Sequence, residues 1–374
     1  MTQLLLFRDF VEDRRLSMER YAAQLAAALG GALPAGWQLA EFRPSLPRAL
    51  AALPVPARQR LRLARYLAYP LAAHGRPGDL NHVLDQGYGH LSYALPHART
   101  VVTVHDLIPL LRWKGAIRGV VRGRRPWLNE LSLKALRRAA HLIAVSESTR
   151  RDLMRHLGCA PDRISVVYSG LDPSMRPLAP PERQALRKKL GLPGPEVRLI
   201  LVTGEAFYKN LETSLAVLRR LGERSEEPLM LVRLGESSPV WQRSVATAGL
   251  TERVLAIAPL ADARMVELYN AVDCLLFPSW YEGFGLPVIE AMACGTPVVT
   301  SNAGALPEAV GDAAPMAAAD DVGGLAELVE AVLRDPATRQ ARIEKGLAQS
   351  ARFSWSRAAA GTLRVYEKVL AARA

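Results

Sequence analysis

No stretch of the 374-residue chain approaches the ~18 consecutive apolar residues that a membrane span requires. Met1 to Asp9 carry neither a basic leader nor a long apolar run, and read as a first strand rather than a signal peptide. Cysteine is scarce, and Cys159, Cys274 and Cys294 have neither pairing nor metal-ligand spacing. They read as small buried residues of a reducing compartment, so the expectation is a cytoplasmic protein. There is no phosphate-cradling P-loop, no G-x-S-x-G elbow and no His/Cys/Asp cluster at metal spacing. An ordinary nucleoside triphosphatase, a serine hydrolase and a zinc enzyme therefore lack support. No repeat of solenoid period is present either.

Acid is missing from one stretch. Between Arg112 and Arg125 there are six basic residues (Arg112, Lys114, Arg118, Arg122, Arg124, Arg125) and no acidic one, within a chain of formal net charge +12. Wound as a helix, this stretch would set Lys114, Arg118, Arg122 and Arg125 on one side, with Trp113, Ile117 and Val121 on another. That layout suits a helix on an anionic membrane surface. Gly115, Gly119 and Gly123 work against it, at ~1 kcal/mol each relative to alanine. No recognition motif accompanies the charge, so nucleic acid is not expected as a partner.

What is present is enough chain for two cores, since single cores stop growing near ~250–300 residues. Strand and helix patterns alternate from the start. Trp37 to Phe42, Thr100 to Val104 and Leu142 to Val145 read as strands, and Ala57 to Leu71 and Pro126 to Arg138 as helices. A proline-rich stretch follows Leu171, and the alternation then restarts. Strands are expected at Leu199–Val202, Leu229–Leu234, Val254–Ile257 and Cys274–Phe277. The division is a first domain over 1–175, a linker over 176–196, a second domain over 197–354, and a last helix over 355–374 that returns to the first domain, with Leu363, Tyr366 and Leu370 on its apolar side. Alternation of this kind argues for parallel sheets with helices on both faces. Ligands then sit beyond the carboxyl ends of the strands.

Polar residues at those ends are the candidates. His105 follows the strand ending at Val104. Lys209 stands at the start of a helix and adds a point charge suited to a diphosphate. Tyr281 to Val299 reads as loop, helix and buried strand, with Glu282 in the loop and Glu290 one turn into the helix. Pro287 suits a first helical position and Gly295 a helix exit. The loop amides and the helix start between the glutamates form a ready anion site.

The run from Glu282 to Val299 resembles the E-x7-E signature of the family 4 glycosyltransferases almost residue for residue. Val104-His105-Asp106, Ser146-Glu147-Ser148, Ser169-Gly170-Leu171-Asp172, Lys209-Asn210-Leu211 and Phe353-Ser354-Trp355 are similar to further stretches of that family. The resemblance implies an α/β protein of GT-B type, with two Rossmann-like doubly wound domains facing a cleft. It implies a retaining, metal-independent transferase that moves a hexose from a nucleotide-diphosphate sugar to a polysaccharide or lipid-linked glycan acceptor. It casts Glu290 on the donor ribose, Lys209 on the diphosphate and Glu282 on a sugar hydroxyl. The backbone of Gly283, Phe284, Gly285 and Leu286 would hold donor sugar and phosphate, and His105 would contact the donor sugar. No cofactor or metal is implied. The loop from Ser301 to Ala305 resembles mannosyltransferase-like members, which leans toward GDP-mannose. Tyr208 stands where the family often has an arginine, and Phe7 to Asp13 replaces its usual glycine-rich loop. A sugar-nucleotide epimerase of the same fold and a non-catalytic donor-binding partner subunit are the rival readings.

Overall fold

The computed structural model describes residues 1–13, 15–224, 227–235 and 237–372, with the side chains of Asp262 and Ala263 left aside. Two compact units emerge. The first comprises Met1–Ala116, Arg122–Gly170 and the segment from Ser354 onward; the second comprises Ile117–Val121 and Leu171–Phe353.

In the first unit, strands β1 (Thr2–Phe7), β2 (Trp37–Phe42), β3 (Leu80–Val83), β4 (Thr100–Val104), β5 (His141–Ala144) and β6 (Ile164–Val166) form one sheet. Their order is β2-β1-β3-β4-β5-β6, and every pair is parallel. Parallel strands are covered on both faces, which is why β4 is an unbroken apolar and β-branched run buried at all five positions. The order turns back between β1 and β3, so the carboxyl ends of these two strands flank the ligand-binding crevice of such sheets. The C-terminal helix, Trp355–Ala371, completes this core: Ala358, Ala359, Val365, Tyr366 and Val369 pack with Leu4, Leu6, Leu25 and Ile143. Leu363 and Leu370 are only partly buried, so the buried face centres on Tyr366 and its neighbours one turn away. Tyr366 also meets His82 of β3, whose ring bridges the Tyr366 hydroxyl at 2.6 Å and the Thr103 hydroxyl at 2.8 Å. Burial holds that imidazole neutral, its pKa lowered to about 3.

The basic stretch does not form the expected helix. A helix runs over Ile108–Lys114 and stops at Gly115, which is left-handed at φ 68°. Gly119 is left-handed too, at φ 73°, and no helix resumes until Trp127–Ala135. A left-handed residue turns the chain out of the α-helical path, so the cations lie along a helix end and a loop. Arg122 instead donates to the carbonyl of Trp113 at 3.1 Å.

In the second unit, β7 (Arg198–Thr203), β8 (Leu229–Leu234), β9 (Val254–Ile257), β10 (Cys274–Phe277), β11 (Val298–Ser301) and β12 (Met316–Ala317) form a sheet ordered β12-β11-β10-β7-β8-β9. All of its pairs are parallel. Its core joins Ile200, Val202, Leu231 and Leu276 to Leu215, Leu218, Val329 and Val332 of the covering helices. Here the order turns back between β7 and β10. The helix Pro180–Lys189, within the proline-rich stretch, belongs to this unit. Its Arg187 is buried with each of its nitrogens bonded, donating to the carbonyls of Ala271, Gly194 and Val197 and to Asp273. Cys274 and Cys294 are buried thiols, each pushed up to about 12 by burial, and Cys159 is half-buried. Among the described residues no helix is long and apolar enough to cross a membrane.

Candidate active site

At the turn-back point of the second sheet, the loops after β7 and β10 are tied together. The amide of Trp280 donates to the carbonyl of Tyr208 at 2.7 Å. Lys209 ends a short 3-10 turn, Phe207–Lys209, and Asn210 follows it in the left-handed region at φ 55°. Asparagine tolerates that conformation when its side chain is bonded locally, here by accepting from the Thr213 hydroxyl at 3.0 Å. Its Nδ2 donates to the carbonyls of Pro278 and Ala319 at 2.9 and 2.7 Å, which clamps the turn in place. Lys209 is thereby aimed at the loop after β10. Its Nζ donates to Glu282 Oε1 at 2.8 Å and lies 4.6 Å from the centre of the Phe277 ring. The sequence thus marked two residues that the fold brings into an ion pair, with side chains 13% and 9% exposed.

The backbone of Glu282 is held by Gly304. A Cβ there would stand 2.5 Å from the carbonyl oxygen of Glu282, so only glycine permits the approach, and the adjacent Ala305 amide donates to that same oxygen at 3.0 Å. The helix Leu286–Ala293 then begins, with Pro287 in its first turn, and the chain leaves it through left-handed Gly295. Glu290 is buried one turn in, and the Tyr269 hydroxyl donates to its Oε2 at 2.8 Å. Gly283, Phe284, Gly285 and Leu286 lie between the two carboxylates, at a helix N-terminus whose dipole favours an anion.

Several polar atoms at these strand ends are buried without a hydrogen-bond partner among the described residues: Thr203 Oγ1 at the end of β7, Ser279 Oγ after β10, and Nε and Nη1 of Arg233 on β8. Arg233 is 2% exposed. Its guanidinium lies 4.6 Å from the Trp241 ring centre and reaches Glu205, in the loop after β7, at 3.4 Å. Burial lowers its pKa, with Glu205 opposing. The contrast with Arg187 is informative, because natural folds seldom leave a buried cation half-satisfied. Nothing in motif spacing marks Arg233; the signal was an arginine within the otherwise apolar strand Leu229–Leu234.

In the first unit His105 sits just past β4. Its Nε2 donates to the carbonyl of Leu84 at 2.9 Å, since a carbonyl can only accept, which leaves Nδ1 as the acceptor of a neutral ring. Burial lowers its pKa, and Tyr21 meets it edge-on at 4.6 Å. Sequence reasoning missed the neighbouring cluster. Arg15 bonds both Asp9, at 3.4 Å, and Asp85, so the loop after β1 is joined to the end of β3 at the turn-back point. Asp9 is pushed up to about 9 by burial and by Asp85, and is the protonated member. Burial alone would protonate Asp85, but Arg15, the protonated Asp9 and the Gly87 amide, which donates to it at 2.7 Å, outweigh that and keep it ionised. Asp13, in the same loop, takes the Tyr88 hydroxyl and Arg65. Among the described residues no group of three or more His, Cys, Asp or Glu side chains could hold a metal ion.

Two doubly wound parallel sheets, with an ion-paired lysine and a loop–helix anion site at the second turn-back point, define the GT-B class of glycosyltransferase. Residues 18–175 match the model of the family described as Glycosyltransferase Family 4, and residues 182–349 that of Glycosyl transferases group 1. The MMP alpha-(1->4)-mannosyltransferase of Mycolicibacterium hassiacum is 30% identical over 335 residues, covering 86% of this chain and 77% of the relative. The O-antigen chain mannosyltransferase B of Escherichia coli is 32% identical over 296 residues, covering 76% of this chain and 74% of the relative. Sucrose-phosphate synthase from Thermosynechococcus elongatus has the same fold, with a TM-score of 0.78 at 21% identity and full coverage of both chains. So does Anabaena HepE in complex with UDP-glucose, with a TM-score of 0.73 at 17% identity, covering 100% of this chain and 99% of that one. The chain belongs to family 4 of the glycosyltransferases and is a transferase enzyme.

Proposed function

We propose that the protein moves a hexose of mannose or glucose type from a nucleotide-diphosphate sugar to a polysaccharide or lipid-linked glycan acceptor, with retention at the anomeric carbon and without a metal. The Lys209–Glu282 pair at the turn-back point carries this reading. Lys209 takes the diphosphate, and Arg233 supplies the second cation where Tyr208 replaces the family's arginine. Both stabilise charge that develops as the diphosphate departs. Glu290, oriented by Tyr269, holds the ribose hydroxyls. Glu282 holds a sugar hydroxyl once Lys209 turns to phosphate, and the backbone of Gly283 to Leu286 receives sugar and phosphate. His105 keeps the contact to the donor sugar that the family resemblance gives it. The leaving phosphate takes the acceptor proton, so no dedicated base is required.

The two mannosyltransferase relatives support mannose as the sugar moved, and the resemblance of Ser301 to Ala305 leans toward GDP-mannose as its donor. HepE is described in complex with UDP-glucose and with UDP, which supports a nucleotide-diphosphate sugar in general. A cytoplasmic enzyme resting on the inner membrane face through Arg112–Arg125 completes the proposal, the cations now presented from a loop. Salt-sensitive flotation on anionic but not neutral vesicles checks that contact.

The decisive experiment pairs thermal shift across a nucleotide panel with turnover of radiolabelled nucleotide sugars, with and without EDTA. One nucleotide should raise the melting temperature by mass action, and its sugar should be slowly hydrolysed. Lys209→Ala should lose turnover and Glu290→Ala donor binding. Binding without hydrolysis would point to a partner subunit, and an isomerised nucleotide sugar to an epimerase. Strict dependence on added divalent metal would refute the mechanism.

A further inference from the structure

A cavity of about 750 Å³ opens in the first domain, walled by Arg58, Arg62, Arg65, Arg124, Arg125 and Trp127 among others. It lies at the carboxyl end of the first sheet. Asp13 of its wall follows β1, and Arg65 of its wall donates to the carbonyl of Gly87, beyond β3, at 2.6 Å. Those two strands flank the turn-back point, where open parallel sheets take ligands.

The charges in the wall do not balance. Asp13 is its single carboxylate, and it is committed to Arg65 and the Tyr88 hydroxyl. Arg125 is held by both oxygens of Glu130, at 2.7 and 3.0 Å. Arg58, Arg62 and Arg124 remain exposed, with no hydrogen-bond or ion-pair partner among the described residues. Arg58 and Arg62 are one turn apart on the helix Ala57–Leu63, a spacing at which like charges destabilise a helix. A further set of donors borders the cavity. The helix Trp127–Ala135 starts in the wall; first-turn amides have no intrahelical acceptors, and here no N-cap side chain takes them either. Beside these donors stands an apolar strip of Leu61, Tyr66, Leu128 and Trp127, whose indole is 68% exposed.

Guanidinium forks and helix-start amides select phosphate oxygens, and the indole strip suits whatever the phosphate is joined to. We propose that this cavity binds the phosphate or diphosphate group of the acceptor, a deepening that rests on the glycosyl-transfer reading above. Two sources share this chemistry: a lipid-linked diphosphate, and a phosphorylated soluble glycan.

The full-length protein is titrated with decyl diphosphate, inorganic diphosphate and the neutral decyl maltoside, following tryptophan fluorescence. Trp127→Phe identifies the signal that arises at the cavity, which separates it from diphosphate held at Lys209. Both diphosphates should give a saturable Trp127-dependent change. The surface variant Arg62→Ser/Arg124→Ser should weaken it about tenfold or more, as expected for lost charge-assisted hydrogen bonds. Decyl diphosphate binding at least about tenfold tighter than inorganic diphosphate, the worth of roughly two buried methylenes, identifies a lipid-linked acceptor; equal binding identifies a soluble phosphorylated one. An unchanged affinity in the double variant overturns the proposal, as does decyl maltoside binding as tightly as decyl diphosphate. Donor hydrolysis by the wild type is measured alongside. Its absence with the cavity titration intact refutes glycosyl transfer and leaves the phosphate site standing.

Discussion

Lys209 cannot hold Glu282 and a diphosphate equally, and that competition can be measured. At 2.8 Å in surroundings of effective dielectric ~20, the pair attracts by ~6 kcal/mol before desolvation. Drying two ions costs several kcal/mol each, and both side chains are largely covered, so the net coupling in the free enzyme should be ~1–3 kcal/mol. A double-mutant cycle of Lys209→Met and Glu282→Gln, read by urea unfolding, isolates that coupling. Adding a saturating amount of the nucleoside diphosphate that most raises the melting temperature gives the ammonium a more highly charged partner. The coupling should then fall below ~0.5 kcal/mol, within the scatter expected of independent sites. In the free enzyme each kcal/mol should appear as roughly 2–4 °C of melting temperature for a unit of this size. Coupling that is the same with and without nucleotide would refute the exchange of partners, and with it the role given to Lys209.

Arg233→Met keeps a long apolar side chain beside Trp241 and removes the guanidinium over its ring, which has two unpartnered nitrogens among the described residues. Unliganded stability should change by less than ~1 kcal/mol, whereas nucleoside-diphosphate affinity should fall about tenfold or more. Calorimetric titration checks this, and unchanged affinity would make Arg233 structural. Asp9→Asn tests the protonated carboxyl at the end of β1. The folded pKa of about 9 lies above that of the unfolded chain, so the contribution of Asp9 to stability is full below the unfolded value and is lost as pH rises through about 9. Asparagine cannot ionise, so the melting temperature of the variant relative to wild type should rise steadily from acid to pH 9. Parallel melting curves would show that Asp9 is ionised in the fold.

Local signals were legible in the sequence wherever the physics was local. The strands at Trp37–Phe42, Thr100–Val104, Leu229–Leu234, Val254–Ile257 and Cys274–Phe277 match the sequence reading to the residue. Thr100–Val104 and Cys274–Phe277 are buried throughout, as doubly covered strands are, whereas Trp37–Phe42 lies at a sheet edge and exposes Gln38 and Glu41. Glu282, Glu290 and Lys209 were legible as positions after strands; their pairing required the order β10-β7, which spacing does not reveal. The helix Pro239–Thr247 was missed although Ser238 caps it, since it buries only Trp241 and Val245. The basic helix does not form because Gly115 and Gly119 act as left-handed stops, at φ 68° and 73°, and not merely as weak helix formers. The Asp9–Arg15–Asp85 cluster ties Arg15 to Asp85, 70 positions along the chain, through β1–β3 pairing, and no local window contains it.

The bond between Tyr366 and His82 also bears on the order in which the chain can fold. Nearly all of the second core lies in one stretch, Leu171–Phe353, and can close as soon as that stretch has left the ribosome. The first core waits for Ala358, Tyr366 and Val369, which are synthesised only after the whole of the second core. Until then Leu4, Leu6 and Leu25 lack their cover, and His82 lacks one of its two hydrogen-bond partners. The usual N-terminal-first order of synthesis-coupled folding is thereby inverted, and the newborn first half needs protection until the helix Trp355–Ala371 has been made.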